Sequence, residues 1–186
     1  MNIRSVIEIR YAQIRSLDLS NGEGVGIALF VQGCHFHCPN CFNPETWDFN
    51  GGKEWTEEVK NKFLELANRP YIKRISILGG EPLEEENLDD VLDLINEFRL
   101  SSQQKSIWLY TGYTINEIFP IGLDDDKRIE MTIKRQQIIK KCNVLIDGRY
   151  IDSQRDISLP YRGSSNQRLI NIQQSLQKNE IVLWQT

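Results

Sequence analysis

Residues 33–52 read GCHFHCPNCFNPETWDFNGG, and this stretch contains three of the four cysteines in the chain. Cys34, Cys38 and Cys41 follow the spacing C-x3-C-x2-C, so one short loop supplies three thiolates. A 4Fe–4S cluster usually has four cysteine ligands, and a set of three leaves one iron without a protein ligand. Because an open coordination position is typical of catalytic rather than structural metal sites, this spacing favours a catalytic iron–sulfur cluster.

A zinc site is the alternative for the same loop. His35 or His37 would then complete a tetrahedral Cys3His set. If the metal is a cluster that needs thiolates, the two histidines are interpreted as solvated loop residues instead.

The rest of the chain alternates short apolar runs with segments of helical periodicity. Strand-like runs lie at residues 25–31, 74–78, 106–110 and 143–146, with weaker ones at 169–172 and 181–184. Helical spacing of apolar residues covers residues 54–68, with Thr56 as N-cap, then 88–98 and 129–140. This alternation predicts parallel βαβ units. At 186 residues the chain is too short for a closed eight-stranded barrel, which needs about 250. We therefore expect a single α/β domain over residues 1–186, an open partial (β/α) barrel with a mostly parallel sheet and helices outside.

Each unusual motif directly follows a predicted strand. Residues 79–82 read GGEP, residues 111–112 read TG, and residues 147–148 read DG. In parallel α/β folds, ligands bind at the carboxyl ends of the strands. Glycines at such a turn let the backbone approach a ligand, and Glu81 is expected to orient the turn by hydrogen bonding rather than to act as a general base.

The cysteine spacing resembles the signature of the radical S-adenosylmethionine (SAM) enzymes, in which SAM occupies the fourth iron. The GGEP turn resembles the element whose backbone holds the amino group of SAM in those enzymes. Five stretches resemble, in order, the activating proteins of anaerobic ribonucleoside-triphosphate reductase: CPNCFNPETWDFNGG, ILGGEPL, WLYTGY, LIDGRY and SLPYRGSSNQR. The resemblance covers nearly the whole chain and implies a partial barrel of the radical SAM type.

The resemblance also implies a reaction and its partners. A 4Fe–4S cluster would reductively cleave SAM to a 5′-deoxyadenosyl radical, which would generate a glycyl radical on the large subunit of the reductase. A one-electron donor such as flavodoxin would be needed, and no catalytic side chain beyond cluster and SAM is implied. The alternatives are a radical SAM enzyme that acts on a small molecule, of the deazapurine synthase type, and a non-catalytic zinc-binding module.

The predicted site has two groups of residues. The metal ligands are Cys34, Cys38 and Cys41. The cofactor-binding residues are Asn40, Cys41, Phe42, Gly79, Gly80, Glu81, Thr111 and Gly112. Asn40 stands where radical SAM enzymes commonly have an aromatic residue, so its backbone is expected to contact the adenine while Phe42 supplies aromatic packing. A side chain at Gly80 is expected to weaken SAM binding and to leave the iron content unchanged.

Residues 162–168, RGSSNQR, carry two arginines and no apolar anchor. One interpretation is a solvated loop. The other, which the family resemblance favours, is a segment that seats the partner or orders the site, because arginine binds carboxylates and carbonyls with a fixed fork geometry.

Composition limits the classes of partner and compartment. The net charge of −4 gives no general attraction to nucleic acid or to anionic membranes. The longest apolar run, residues 27–31, is far too short to span a membrane, and residues 3–15 lack the apolar core of a signal peptide. Clustered cysteines do not resemble a disulfide framework, so we expect the reducing cytoplasm, with Cys142 as a core residue.

Overall fold

The computed structural model describes residues 9–119 and 126–185, without the side chains of residues 126–128. Residues 3–8 therefore lie outside the described residues; they belong to the segment 3–15, in which the sequence lacks the apolar core of a signal peptide. The strands are β1 (Arg10–Asp18), β2 (Gly26–Val31), β3 (Lys53–Glu54), β4 (Arg74–Gly79), β5 (Ser106–Tyr110), β6 (Val144–Asp147) and β7 (Arg168–Asn171). The helices are α1 (Glu57–Ala67), α2 (Leu88–Ser101), α3 (Ile115–Ile118), α4 (Asp126–Lys141) and α5 (Ile172–Lys178). No helix among the described residues is long and apolar enough to cross a membrane.

The seven strands form one sheet in the order β3-β1-β2-β4-β5-β6-β7. Its four central strands, β2, β4, β5 and β6, are parallel, as the alternation of strand and helix predicts. The outer strands β1, β3 and β7 pair antiparallel to their neighbours. The mixed α/β fold is thus confirmed, and the sheet is parallel in its centre only.

Several predicted elements occur within a few residues of their expected bounds. Helix α1 begins one residue after Thr56, whose hydroxyl accepts a hydrogen bond from the Val59 amide at 3.3 Å, as expected of an N-cap. The apolar run at residues 181–184 forms no regular strand. It pairs with β7 through one bridge, between Ile170 and Leu183.

The two faces of the sheet are covered by different parts of the chain. On one face, side chains such as Ile27, Ile77 and Leu109 are completely buried in a core to which all five helices contribute. On the opposite face, two smaller clusters, which include Phe30 and Trp108, contain no helix residue among those described. The helices thus lie on one side, and the other side is free to form a cavity.

A buried ion pair lies on this helix-free face near the amino ends of the parallel strands. Arg74 is completely buried and its guanidinium binds the carboxylate of Asp18 at 2.7 Å. Ser76 accepts from Arg74 and donates to the carbonyl of Asn21 at 2.6 Å. These bonds fix the turn after β1 against the sheet.

Candidate functional site

The loops that follow β2, β4, β5 and β6 meet around one cavity at the carboxyl ends of the parallel strands. The cavity has a volume of about 400 Å³. Its lining includes the predicted site residues Cys34, Cys38, Cys41, Phe42, Gly79, Gly80, Glu81, Thr111 and Gly112. The structure therefore brings together every predicted site residue except Asn40.

Asn40 lies outside the cavity and joins two loops. Its side-chain amide donates to the carboxylate of Asp152 at 2.9 Å. Its backbone has a positive φ of 55°, which asparagine adopts more readily than most residues. These two features give a structural reason for asparagine at this position.

Backbone hydrogen bonds fasten the cysteine loop to the turn after β4. The Gly33 carbonyl accepts from the Glu81 amide, and the Gly33 amide donates to the Thr46 carbonyl, both at 2.8 Å. Gly79 has a φ of +107°, and a Cβ there would lie 2.7 Å from the Phe30 backbone. A Cβ on Gly80 would collide with the Gly33 carbonyl. The glycines thus let the turn pack directly against the cysteine loop.

The three cysteines of this loop are free thiols suited to an iron–sulfur cluster. Burial raises the pKa of Cys34 to about 12 and also raises that of Cys38, so both sulfurs need a positive partner before they ionise. The Asn43 amide donates to the Cys41 sulfur at 3.4 Å, a contact of the kind that tunes cluster sulfurs. Three thiols on one cavity wall therefore fit a cluster with one open iron.

The two histidines of the loop do not line this cavity. The ring of His35 packs against Phe49 and its Nδ1 lies 3.3 Å from Glu84, while His37 packs against Trp47. This arrangement favours the three-cysteine set over a Cys3His zinc site.

Glu81 connects the turn after β4 to the turn after β5. One carboxylate oxygen accepts from the Leu83 amide and the Thr111 hydroxyl, both at 2.8 Å, and the other accepts from the Gly112 amide at 2.6 Å. Burial raises the pKa of this carboxyl to about 7, although the three hydrogen bonds oppose the rise. The carboxylate thus joins both turns, and its hydrogen bond to the Leu83 amide holds the GGEP turn, as expected from the sequence.

The loop after β6 covers the cysteine loop with aromatic and cationic contacts that sequence reasoning missed. The guanidinium of Arg149 lies 4.2 Å from the ring centroid of Phe36. The ring of Tyr150 meets Phe42 edge-on at 5.1 Å. Both loop residues belong to the LIDGRY stretch, whose Arg-Tyr pair directly after a strand was the available signal.

Residues 162–168 form part of the cavity wall rather than a solvated loop. Gln167 accepts a hydrogen bond from the Gly163 amide at 3.0 Å and donates to the Gly148 carbonyl at 3.0 Å. Arg168 binds Asp147 through two hydrogen bonds, so its guanidinium has a structural role. Arg162 lines the cavity and its Nε is buried without a partner among the described residues.

Comparison with known proteins agrees with this geometry. A family model described as a 4Fe-4S single cluster domain matches residues 20–170. Anaerobic ribonucleoside-triphosphate reductase-activating proteins align with the chain at 35% identity in Salmonella typhi and 36% in Vibrio cholerae. Each alignment covers 86% of this chain and 96% of the relative. The chain belongs to this family.

A relative of the same name from Enterobacteria phage T4 is 32% identical over 87% of this chain and 93% of its own length. The family resemblance of the five sequence stretches is thereby confirmed. An iron–sulfur cluster is also supported by the family model.

Proposed function

We propose that the chain activates an anaerobic ribonucleoside-triphosphate reductase by generating a glycyl radical on its large subunit. When bound, the cluster would pass one electron from an external donor to SAM, which would release methionine and a 5′-deoxyadenosyl radical able to take a hydrogen atom from a glycine Cα of the reductase. The observation that carries this proposal is the single cavity lined by three free cysteines and the glycine turn. The names of the relatives supply the partner.

The chain contributes the cluster ligands and the backbone groups that position SAM. Cys34, Cys38 and Cys41 would hold the cluster, and the half-buried backbone of Gly79 and Gly80 would accept hydrogen bonds from the amino group of SAM. Thr111 and Gly112, fixed by Glu81, line the part of the cavity next to that turn. The protein thus supplies binding and orientation, while the cofactors carry the chemistry.

Exclusion of water is the second contribution. Phe30, Leu78 and Tyr110 line the cavity from the helix-free face of the sheet. Phe30 and Leu78 are only 4% and 6% exposed. An apolar wall of this kind limits water near a reactive radical, which prevents side reactions.

We also infer that the chain is a single domain of the radical SAM type, an open partial barrel. Two observations support this proposal: the helices cover one face of the sheet, and the cavity lies on the other. An open side would admit a backbone segment of the reductase to the cavity.

The decisive experiment is anaerobic reconstitution with iron and sulfide, followed by incubation with SAM, a low-potential one-electron donor such as flavodoxin, and the reductase. We expect a visible absorption band from the cluster and a glycyl-radical signal in electron paramagnetic resonance that requires all components. A colourless protein that binds zinc would contradict the cluster. SAM cleavage without any glycyl radical would indicate a small-molecule substrate instead.

A further inference from the structure

Arg149 places a positive charge beside the cysteine loop. Its guanidinium carbon lies 4.2 Å from the ring centroid of Phe36, which stands between Cys34 and Cys38 in the sequence. Arg149, Phe36 and both cysteines line the same cavity.

The position of Arg149 is fixed from both sides. Its backbone carbonyl accepts a hydrogen bond from the Asn166 side chain at 2.8 Å. The Phe36 ring beneath it is held edge-on by Tyr113, with ring centroids 4.8 Å apart. Stacking on an aromatic face suits the planar guanidinium of arginine better than the ammonium of lysine.

The charge of Arg149 has no carboxylate partner within ion-pair distance among the residues that the structure describes. Glu117 is near enough for the charge to lower its pKa. The carboxylate of Glu117, however, binds the amide and hydroxyl of Thr114. Arg149 therefore carries its charge at the cavity wall without a direct ion pair, and Glu117 offsets part of its field from a distance.

We propose that Arg149 raises the reduction potential of the cluster held by Cys34, Cys38 and Cys41; this inference depends on the proposed function. When the oxidised cluster accepts one electron from a low-potential donor, it gains one negative charge and no proton is transferred. A fixed cation stabilises the reduced state more than the oxidised one. Arg149 is exposed, but the Phe36 ring covers one face of its guanidinium, so water reaches the cation from the remaining sides only.

Arg155 offers a matched control. It also lies over an aromatic ring beside the loop, 5.5 Å from the centroid of Phe42. Like Arg149 it is exposed, but it does not line the cavity, and it lies close enough to Asp152 to lower the pKa of that carboxyl. Loss of its charge should leave the cluster unaffected.

The test is an anaerobic redox titration of reconstituted protein without SAM, in which electron paramagnetic resonance measures the reduced cluster. At a fixed potential, we expect the oxidised-to-reduced ratio to rise about tenfold in Arg149→Gln, which corresponds to about 59 mV for one electron. We expect Arg149→Lys to shift less, and Arg155→Gln to match wild type. Iron content and the oxidised absorption spectrum should be equal in all four proteins.

A potential in Arg149→Gln equal to that of Arg155→Gln would overturn the inference. If Arg149→Gln takes up no iron, the same titration is carried out on Phe36→Leu. This variant keeps the charge of Arg149 and removes the ring that holds the guanidinium in place, so we expect its reduction potential to fall. A wild-type potential in Phe36→Leu would then refute the role of the stacked cation. If wild-type protein itself forms no cluster, the proposed function fails instead.

Discussion

At the scale of single residues, burial and neighbours separate Cys142 from the other three cysteines. Cys142 is completely buried, its thiol donates to the Ile138 carbonyl at 3.3 Å, and burial raises its pKa to about 12. It does not line the cavity that Cys34, Cys38 and Cys41 share. A chain with four cysteines thus divides into one core residue and three candidate ligands.

This division predicts different results for alanine variants. Replacement of Cys34, Cys38 or Cys41 should abolish the visible absorption of the reconstituted protein, because three ligands are the minimum for the proposed cluster. Cys142→Ala should keep the absorption and lose about 1 kcal/mol of stability through the small cavity it leaves. Absorption spectra and iron analysis measure the first effect, and urea unfolding measures the second. Loss of iron from a folded Cys142→Ala protein would refute the ligand assignment.

Gly80 has a packing role in addition to the SAM-binding role that the sequence indicates. From the sequence, a side chain at this position is expected to obstruct SAM alone, whereas in the structure its Cβ would point at the Gly33 carbonyl, next to Cys34. We therefore expect Gly80→Val to lower iron content as well as SAM binding, because the cysteine loop must shift. Gly24→Ala is the control for a replaced glycine: unlike Gly80 it has a positive φ, but its Cβ would lie 3.5 Å from the Lys73 side chain, an ordinary contact distance, and nowhere near the cysteine loop. Normal iron content with weakened SAM binding in Gly80→Val would instead support the original expectation.

Glu81 should make stability depend on pH in protein without a cluster. Its pKa is raised to about 7 by burial, so the folded state binds the proton more tightly than the unfolded state does. The stabilisation from this proton is present below about pH 4 and is lost as the pH rises to about 7, with an upper limit of about 3 kcal/mol. Glu81→Gln removes this dependence. Urea unfolding at about pH 5 and about pH 8 should show that wild type loses more free energy of unfolding than Glu81→Gln does as the pH rises. An equal loss in both proteins would contradict this role of Glu81.

At the scale of elements, the sequence identified the central strands and a weak signal for β7, and it missed β1 and β3 for a physical reason. The parallel strands are buried on both faces, so they appear as continuous apolar runs such as residues 27–31. β1 is only partly buried along most of its length, and β3 has two exposed residues. Such strands carry little apolar signal. The antiparallel direction of β7 depends on tertiary pairing, which no local pattern encodes.

The two arginines of residues 162–168 should separate into a structural and a functional residue. Arg168→Ala leaves the buried Asp147 with one described donor, the Ile115 amide, and should cost about 2 kcal/mol of stability. Arg162→Ala removes a cavity-lining cation and should leave stability near wild type. If the segment seats the reductase, Arg162→Ala should lower the yield of glycyl radical while SAM cleavage without reductase continues. Equal effects of the two variants on stability and yield would contradict this separation.

At the scale of the whole molecule, the site is more predictable than the contacts that surround it. Cysteine spacing and strand-end turns are local signals, so the loops that form the cavity were identifiable from sequence. The packing of Arg149 on Phe36 joins residues more than one hundred positions apart, and only the folded sheet brings their loops together. The Asn40 side chain is likewise held outside the cavity by its hydrogen bond to Asp152, a residue that is distant in sequence.

The cavity also extends from the cysteine loop toward the amino ends of the parallel strands, where Ser20 and Asn21 line it. If a segment of the reductase enters along the helix-free face, a bulky residue at this far end should hinder it without contact with the cysteines. We expect Ser20→Trp to keep iron content and SAM cleavage and to lower the yield of glycyl radical several-fold. Ser101→Trp, at an exposed position at the end of α2 on the opposite side of the sheet, is the control for the added ring. Equal radical yields in the two variants would place the entry of the reductase segment elsewhere and would refute an approach along this face.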